Sequence, residues 1–130
     1  MNGPSVTGAA IGIIGMGRMG ARLADAATGA GCRIVAALDH AAQPFTLTEQ
    51  PALADVFTTD AAHFWDTKMD VVAIATTAAH HVPLLMEGLA HGTRRFVVEK
   101  PFCTGVAEGE AALAAADGAG ARVVVNHGRR

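Results

Sequence analysis

The chain has 130 residues, a net charge of −2 and 51% hydrophobic residues. That length holds one domain with a core of its own, the apolar share excludes a disordered chain, and the lack of basic excess excludes a nucleic-acid backbone as partner. Two cysteines, Cys32 and Cys103, are too few for a disulfide framework; Met1 to Ala10 shows no secretory signal and no apolar run could cross a bilayer, so the sequence predicts a reduced, cytoplasmic protein without a membrane anchor.

In chain order, Ala9 to Ile14 is apolar almost throughout, as expected of a parallel strand covered on both faces. Gly15-Met16-Gly17-Arg18-Met19-Gly20 follows. A helical pattern comes next, with a predicted stripe of Met19, Leu23, Ala26, Ala27 and Ala30, and with Gly29 and Gly31 as stops. Cys32 to Leu38 is a second apolar strand, closed by Asp39. His40 to Ala54, which contains Pro44 and Pro51, reads as a loop with room for one helical turn. Val56 to Thr58 is a short third strand, Asp60 caps a short helix through Phe64 and Trp65, and Asp70 to Ala75 is a fourth strand. Thr77 to His91 reads as a helix, with Pro83 in its first turns and Gly92 at its end. A strand from Arg95 to Val98, a helix from Val106 to Asp117 and a strand from Arg122 to Val125 complete the pattern. Such alternation predicts a single α/β domain, a doubly wound parallel sheet of the Rossmann type, with its ordered core at about residues 9–126.

Gly15-x-Gly17-x-x-Gly20 is weak evidence alone, but here it follows a strand, opens a helix and precedes Asp39, 19 residues beyond Gly20 at the end of the next strand. In that setting Gly15 permits the tight turn, Gly17 lets backbone approach a pyrophosphate, and Gly20 lets helix and strand pack closely. The helix N-terminus offers N–H groups and partial positive charge to phosphates, and Asp39 can accept from the adenosine ribose hydroxyls. A carboxylate there repels a 2′-phosphate, so NAD is favoured over NADP. Arg18, Arg22 and Arg33 either soften that preference or are solvated surface. A ligand-free glycine-rich turn, and sites for flavin or S-adenosylmethionine, share the pattern.

Glu99-Lys100-Pro101 sits at the carboxyl end of the fifth strand, where open α/β sheets bind ligands. Together with the glycine motif, it gives a sequence that resembles the glucose-fructose oxidoreductase, inositol dehydrogenase and rhizopine-catabolism family, Gfo/Idh/MocA, from about Ala10 to Arg130. That family's strand, Thr-Pro-Asn-x-x-His run, helix ending in Gly, strand and Glu-Lys-Pro correspond to Thr76-Thr77-Ala78-Ala79-His80-His81, Gly92 and Glu99-Lys100-Pro101. Val123 to Arg130 is similar to its last domain-one strand with an Asn and Arg pair. Thr77-Ala78 replaces the family's Pro-Asn, which removes a side-chain contact, and one extra residue lies between Gly92 and the fifth strand.

The resemblance implies that Lys100 is catalytic, relaying the proton of the substrate hydroxyl and sharing that work with a histidine of a second domain. It also implies a nicotinamide cofactor contacted by Gly15, Met16, Gly17, Arg18, Met19, Gly20, Asp39, Thr76, Thr77, His81, Glu99 and Lys100. From the residues alone, Lys100 reads rather as a surface lysine paired with Glu99, and His81 is equally a capping or packing residue. Adjacent His80 and His81 point about 100° apart on a helix, so no metal site is expected. Cys103 reads as an inert thiol and Trp65 as packing.

Two functions stand at this point. One is the NAD(P)-binding part of an oxidoreductase that moves a hydride between the cofactor and a hydroxyl-bearing substrate, a sugar or cyclitol. Its substrate domain is expected to lie outside these residues, and the chain alone is expected to be inactive or weakly active. The other is a non-catalytic NAD(H)-binding sensor or regulatory module. Apolar surface left by a missing domain would favour homo-oligomers.

Overall fold

The computed structural model describes residues 8–126; the lead-in at residues 1–7 and the family-like segment at 127–130 lie outside the described residues. Six strands form one parallel sheet in the order β3-β2-β1-β4-β5-β6: β1 Ala10–Ile14, β2 Arg33–Leu38, β3 Phe57–Thr58, β4 Val71–Ile74, β5 Arg95–Glu99 and β6 Arg122–Asn126. The chain runs outward from β1 to β3, returns beside β1 as β4, and runs outward the other way to β6. This reversal between β1 and β4 leaves a crevice at the strands' carboxyl ends.

Helices α1 Arg18–Gly29, α2 Phe45–Glu49, α3 Ala61–Trp65, α4 His81–Ala90 and α5 Val106–Gly118 connect the strands, with 3₁₀ turns at Pro51–Val56 and Ala78–His80. The strand period of two sorts the core into two layers. Ile11, Ile13, Ala37 and Ala73 pack with Ala24 of α1 on one face. On the other face Ile14, Leu38, Val72, Ile74, Phe96 and Val98 pack with Phe64, Trp65, Leu85 and Ala112 of α3, α4 and α5. Trp65 is core, edge-on to Phe64 with ring centroids 5.0 Å apart. Asp60 caps α3 as expected, its Oδ1 accepting from the Ala62 N–H at 3.0 Å.

Three expectations change. The buried stripe of α1 is Gly20, Ala21 and Ala24; Ala26 and Ala30 are exposed, and Met19, Leu23 and Ala27 are half-buried. Small residues face inward because α1 lies close to the sheet, so size rather than hydropathy selects them. The stretch His40 to Ala54 holds α2 and most of a 3₁₀ turn, where Pro44 precedes one helix and Pro51 starts the other. The helix expected from Thr77 is a 3₁₀ turn followed by α4. Pro83 brings no N–H to the Ala79 carbonyl, so α-helical bonding does not extend back through that turn.

Gly88 of α4 sits where the sheet presses on the helix: a Cβ there would lie 2.6 and 2.8 Å from two atoms of the Phe96 ring and 3.1 Å from Trp65. Helix propensity alone makes Gly→Ala stabilising by about 1 kcal/mol, whereas overpacking costs about 1–3 kcal/mol. Phe96 is 1% exposed and packed within the core, so the clash wins. Gly88→Ala is expected to lower the urea unfolding free energy by roughly 1–2 kcal/mol. A variant as stable as the wild type would show that the ring yields.

Candidate functional site

The site is built on the turn after β1. Gly15 has φ +98°, and its N–H donates to the Leu38 carbonyl at 2.8 Å. A Cβ on Gly15 would also lie 2.7 Å from the backbone of Ala75, so both conformation and space require glycine. The Met16 side chain is wholly buried beneath the turn, while its N–H donates to Asp39 Oδ2 at 2.7 Å. Gly20 lies against the Gly15 carbonyl, where a Cβ would overlap the oxygen. Gly17 is the opposite case: it is exposed, and a Cβ would meet nothing within 4 Å. It is the N-cap of α1 with no side-chain capping bond, so the first N–H groups of a 12-residue helix face outward with the positive end of its dipole. Such an end binds anions.

Sequence reasoning missed the support under this turn. Thr46 of α2 is 0% exposed; its N–H donates to the Met16 carbonyl at 2.7 Å and its hydroxyl to the Gly17 carbonyl at 3.0 Å. One residue thus satisfies two carbonyls of the glycine motif. Beside it, the Arg18 guanidinium lies 4.5 Å from the centroid of the Phe45 ring. A threonine in a segment read as loop carries no signal of this kind; only the two flanking prolines mark that the segment is ordered.

A groove of about 860 Å³ runs along the carboxyl ends of β1, β2, β3 and β4. Of the residues expected at a cofactor, Gly15, Gly17, Arg18, Met19, Asp39, Thr76 and Thr77 line it. His40, Thr59, Ala61 and Leu84 line it too, none of them singled out by the sequence motifs, as does His80, which the motif run contains but which was not expected at the cofactor. Asp39 is held at the rim: besides Met16, its Oδ1 accepts from the Ala41 N–H at 3.0 Å and lies 3.3 Å from His40 Nδ1. Arg33 starts β2, six residues before Asp39 and at the amino end of the strand, away from the groove, and is not among the groove's residues. Arg22 is exposed beside Met19.

Met16 and Gly20 lie beneath the groove rather than in its wall. Glu99, His81 and Lys100 do not line it either. Glu99 is 4% exposed and accepts from Asn126 Nδ2 at 2.6 Å, so its hydrogen-bond partner is Asn126 on β6 rather than Lys100. Lys100 is exposed on the loop after β5, its N–H donating to the Asn126 carbonyl at 3.3 Å. His80 and His81 part company: His80 Nδ1 lies 3.0 Å from the Thr77 hydroxyl at the surface, whereas His81 is buried between two backbone carbonyls. Among the described residues no three His, Cys, Asp or Glu side chains come together as a metal site, and no helix is long and apolar enough to cross a membrane.

Residues 9–127 match the family described as oxidoreductase family, NAD-binding Rossmann fold, GFO_IDH_MocA. The chain belongs to this family. No curated protein matches it. Among solved structures it is similar to GenD2 from gentamicin A biosynthesis in complex with NAD, at 22% identity and TM-score 0.81, with 96% of this chain and 36% of that one covered. An oxidoreductase from Agrobacterium radiobacter in complex with NAD+, L-tartaric acid and magnesium shares 24% identity at TM-score 0.76, over 92% of this chain and 35% of that one. The WlbA dehydrogenase from Bordetella pertussis, in complex with NADH and UDP-GlcNAcA, shares 24% identity at TM-score 0.74, over 92% and 37%. The chain therefore spans about a third of the length of these structures, and it shares with them the NAD-binding Rossmann fold of its family.

Thr46→Val keeps the shape and removes the hydroxyl, leaving the Gly17 carbonyl without that donor. It is expected to cost about 1–2 kcal/mol in chemical denaturation. The same variant should also weaken NADH binding, because the turn loses its brace. A variant of unchanged stability would show that water replaces the hydroxyl.

Proposed function

We propose that this chain holds NAD along the groove, as the cofactor-binding part of a dehydrogenase acting on a hydroxyl-bearing sugar or cyclitol, and that it does so in the cytoplasm. The observation that carries the reading is the end of α1: an uncapped helix N-terminus, an exposed Gly17 with open space in place of a side chain, and a carboxylate on the next strand, all on one groove. These residues fit a dinucleotide. The N–H groups after Gly17 take the pyrophosphate, Asp39 accepts from the adenosine ribose, and Thr76 and Thr77 border the nicotinamide half.

Bound NAD supplies the hydride chemistry. The protein's share is to orient and to handle the proton. Lys100, at the carboxyl end of β5, would hold the substrate hydroxyl and take up its proton as the carbonyl forms. The sugar reading draws support from UDP-GlcNAcA in the WlbA complex, and GenD2, from gentamicin A biosynthesis, is likewise in complex with NAD. NAD rather than NADP follows from Asp39, whose charge would face a 2′-phosphate.

Gly17→Val tests the groove cleanly. A Cβ there meets no protein atom within 4 Å, so the fold should be kept with a loss of about 1 kcal/mol at most for a β-branched N-cap, yet the side chain enters the space of the pyrophosphate. NADH fluorescence titration should show saturation by the wild type and none by the variant; equal binding would remove the site assignment. Asp39→Ala should weaken NAD and raise the relative affinity for NADP in calorimetric titrations. It should also lower stability by about 1–3 kcal/mol, because the Met16 N–H loses its acceptor. An unchanged NAD/NADP ratio would mean that the carboxylate serves the turn alone.

A further inference from the structure

His81 opens α4 and is 1% exposed, yet each ring nitrogen faces a backbone carbonyl of a different loop. Nδ1 lies 2.9 Å from the Pro101 oxygen and Nε2 2.9 Å from the Thr76 oxygen. A neutral imidazole has one N–H and serves one of these acceptors; an imidazolium serves both. An apolar ring would fill the same space without the cost of burying two polar nitrogens, so packing alone does not account for a histidine here.

What it joins is specific. The ladder between β4 and β5 ends at the pair Ile74 and Val98. Beyond it, the β4 loop carries Thr76 into the groove wall and the β5 loop carries Lys100. On its far side the β5 loop is fastened to β6, through the Lys100 N–H to the Asn126 carbonyl and the Asn126 side chain to Glu99. On its near side the described bond is the one to His81. The ring takes over where the ladder stops.

We infer that His81 is a positioning residue, which ties the Lys100 loop to the Thr76 loop and so sets Lys100 at the nicotinamide end of the groove. This rests on the cofactor placement proposed above.

The test compares NADH with ADP-ribose, which lacks the nicotinamide ring, on the 130-residue chain. With His81→Phe the dissociation constant for NADH should rise about fivefold or more, while that for ADP-ribose stays within about twofold. His81→Gln, whose amide can restore one bond, should fall between. Lys100→Ala should weaken NADH in the wild-type background and have a smaller effect beside His81→Gln, because the lysine is then already displaced. If circular dichroism shows that His81→Phe does not fold, the His81→Gln series carries the same comparison. Equal weakening of both ligands would make His81 merely structural and overturn the inference, as would NADH affinity insensitive to His81. Failure of the wild type to bind NADH, or binding indifferent to Gly17→Val, would instead overturn the groove assignment beneath it.

Discussion

The close approach of α1 to the turn after β1 is the constraint from which the site follows. Gly20 touches the Gly15 carbonyl, and that contact fixes both the height of the helix above the sheet and the direction of its N-terminus. The inward face of α1 is made of Gly20, Ala21 and Ala24, so little stands between helix and strands. A helix lifted by one methyl group would carry its free N–H groups away from the groove. The turn is then braced from outside by Thr46 and from the next strand by Asp39, each bonded to backbone of the glycine motif. Two segments distant in sequence, together with the seat of α1, thus hold six residues in one shape.

The two faces of the sheet divide the labour. Small side chains on the α1 side allow close packing and an exactingly placed helix end. Large ones on the other side, Phe64, Trp65, Leu85 and Phe96, give most of the volume of the core. Burial of that apolar area is the main driving force, at about 25 cal/mol per Å². Such a core tolerates no extra atoms at its tightest point, Gly88, and it keeps α4 flush with β4 and β5. The position of His81 between the two strand ends depends on that seat.

The sheet was legible because its strands are short apolar runs bounded by Gly, Asp and Pro, and because they alternate with helical patterns. Strand ends read from the sequence lie within a residue of those observed, as with Arg95 to Val98 against β5 Arg95–Glu99. Two of the motif glycines, Gly15 and Gly20, were legible for the same reason, each demanded by a local shape, whereas Gly17 leaves open space at the helix end. What could not be read is whatever depends on side chains meeting across the fold. Thr46 is ordinary until α2 is seen against the glycine turn. Ala26 and Ala30 match helical periodicity yet face solvent, because periodicity gives the interval of a stripe and not its angle. Glu99 reads as a partner for the lysine beside it, but Lys100 has already left the strand for an exposed loop, and the carboxylate meets Asn126, its register partner on β6.

Asp39 shows how a residue recognised by motif can hold two roles that pull on one another. Its Oδ2 accepts the Met16 N–H and its Oδ1 the Ala41 N–H, so the carboxylate is part of the architecture that shapes the phosphate turn. Each carboxylate oxygen has a second acceptor direction, and the group lines the groove, so ribose hydroxyls can be received without breaking either bond. The backbone bonds orient the carboxylate before any ligand arrives, which lowers the ordering cost of binding. They also limit how the cofactor preference can change. Replacing Asp39 to admit a 2′-phosphate would remove a support of the turn proposed to take the pyrophosphate. A change of preference by way of Arg18, which stands on Phe45 at the same groove and leaves the Met16 bond in place, is therefore the less disruptive route.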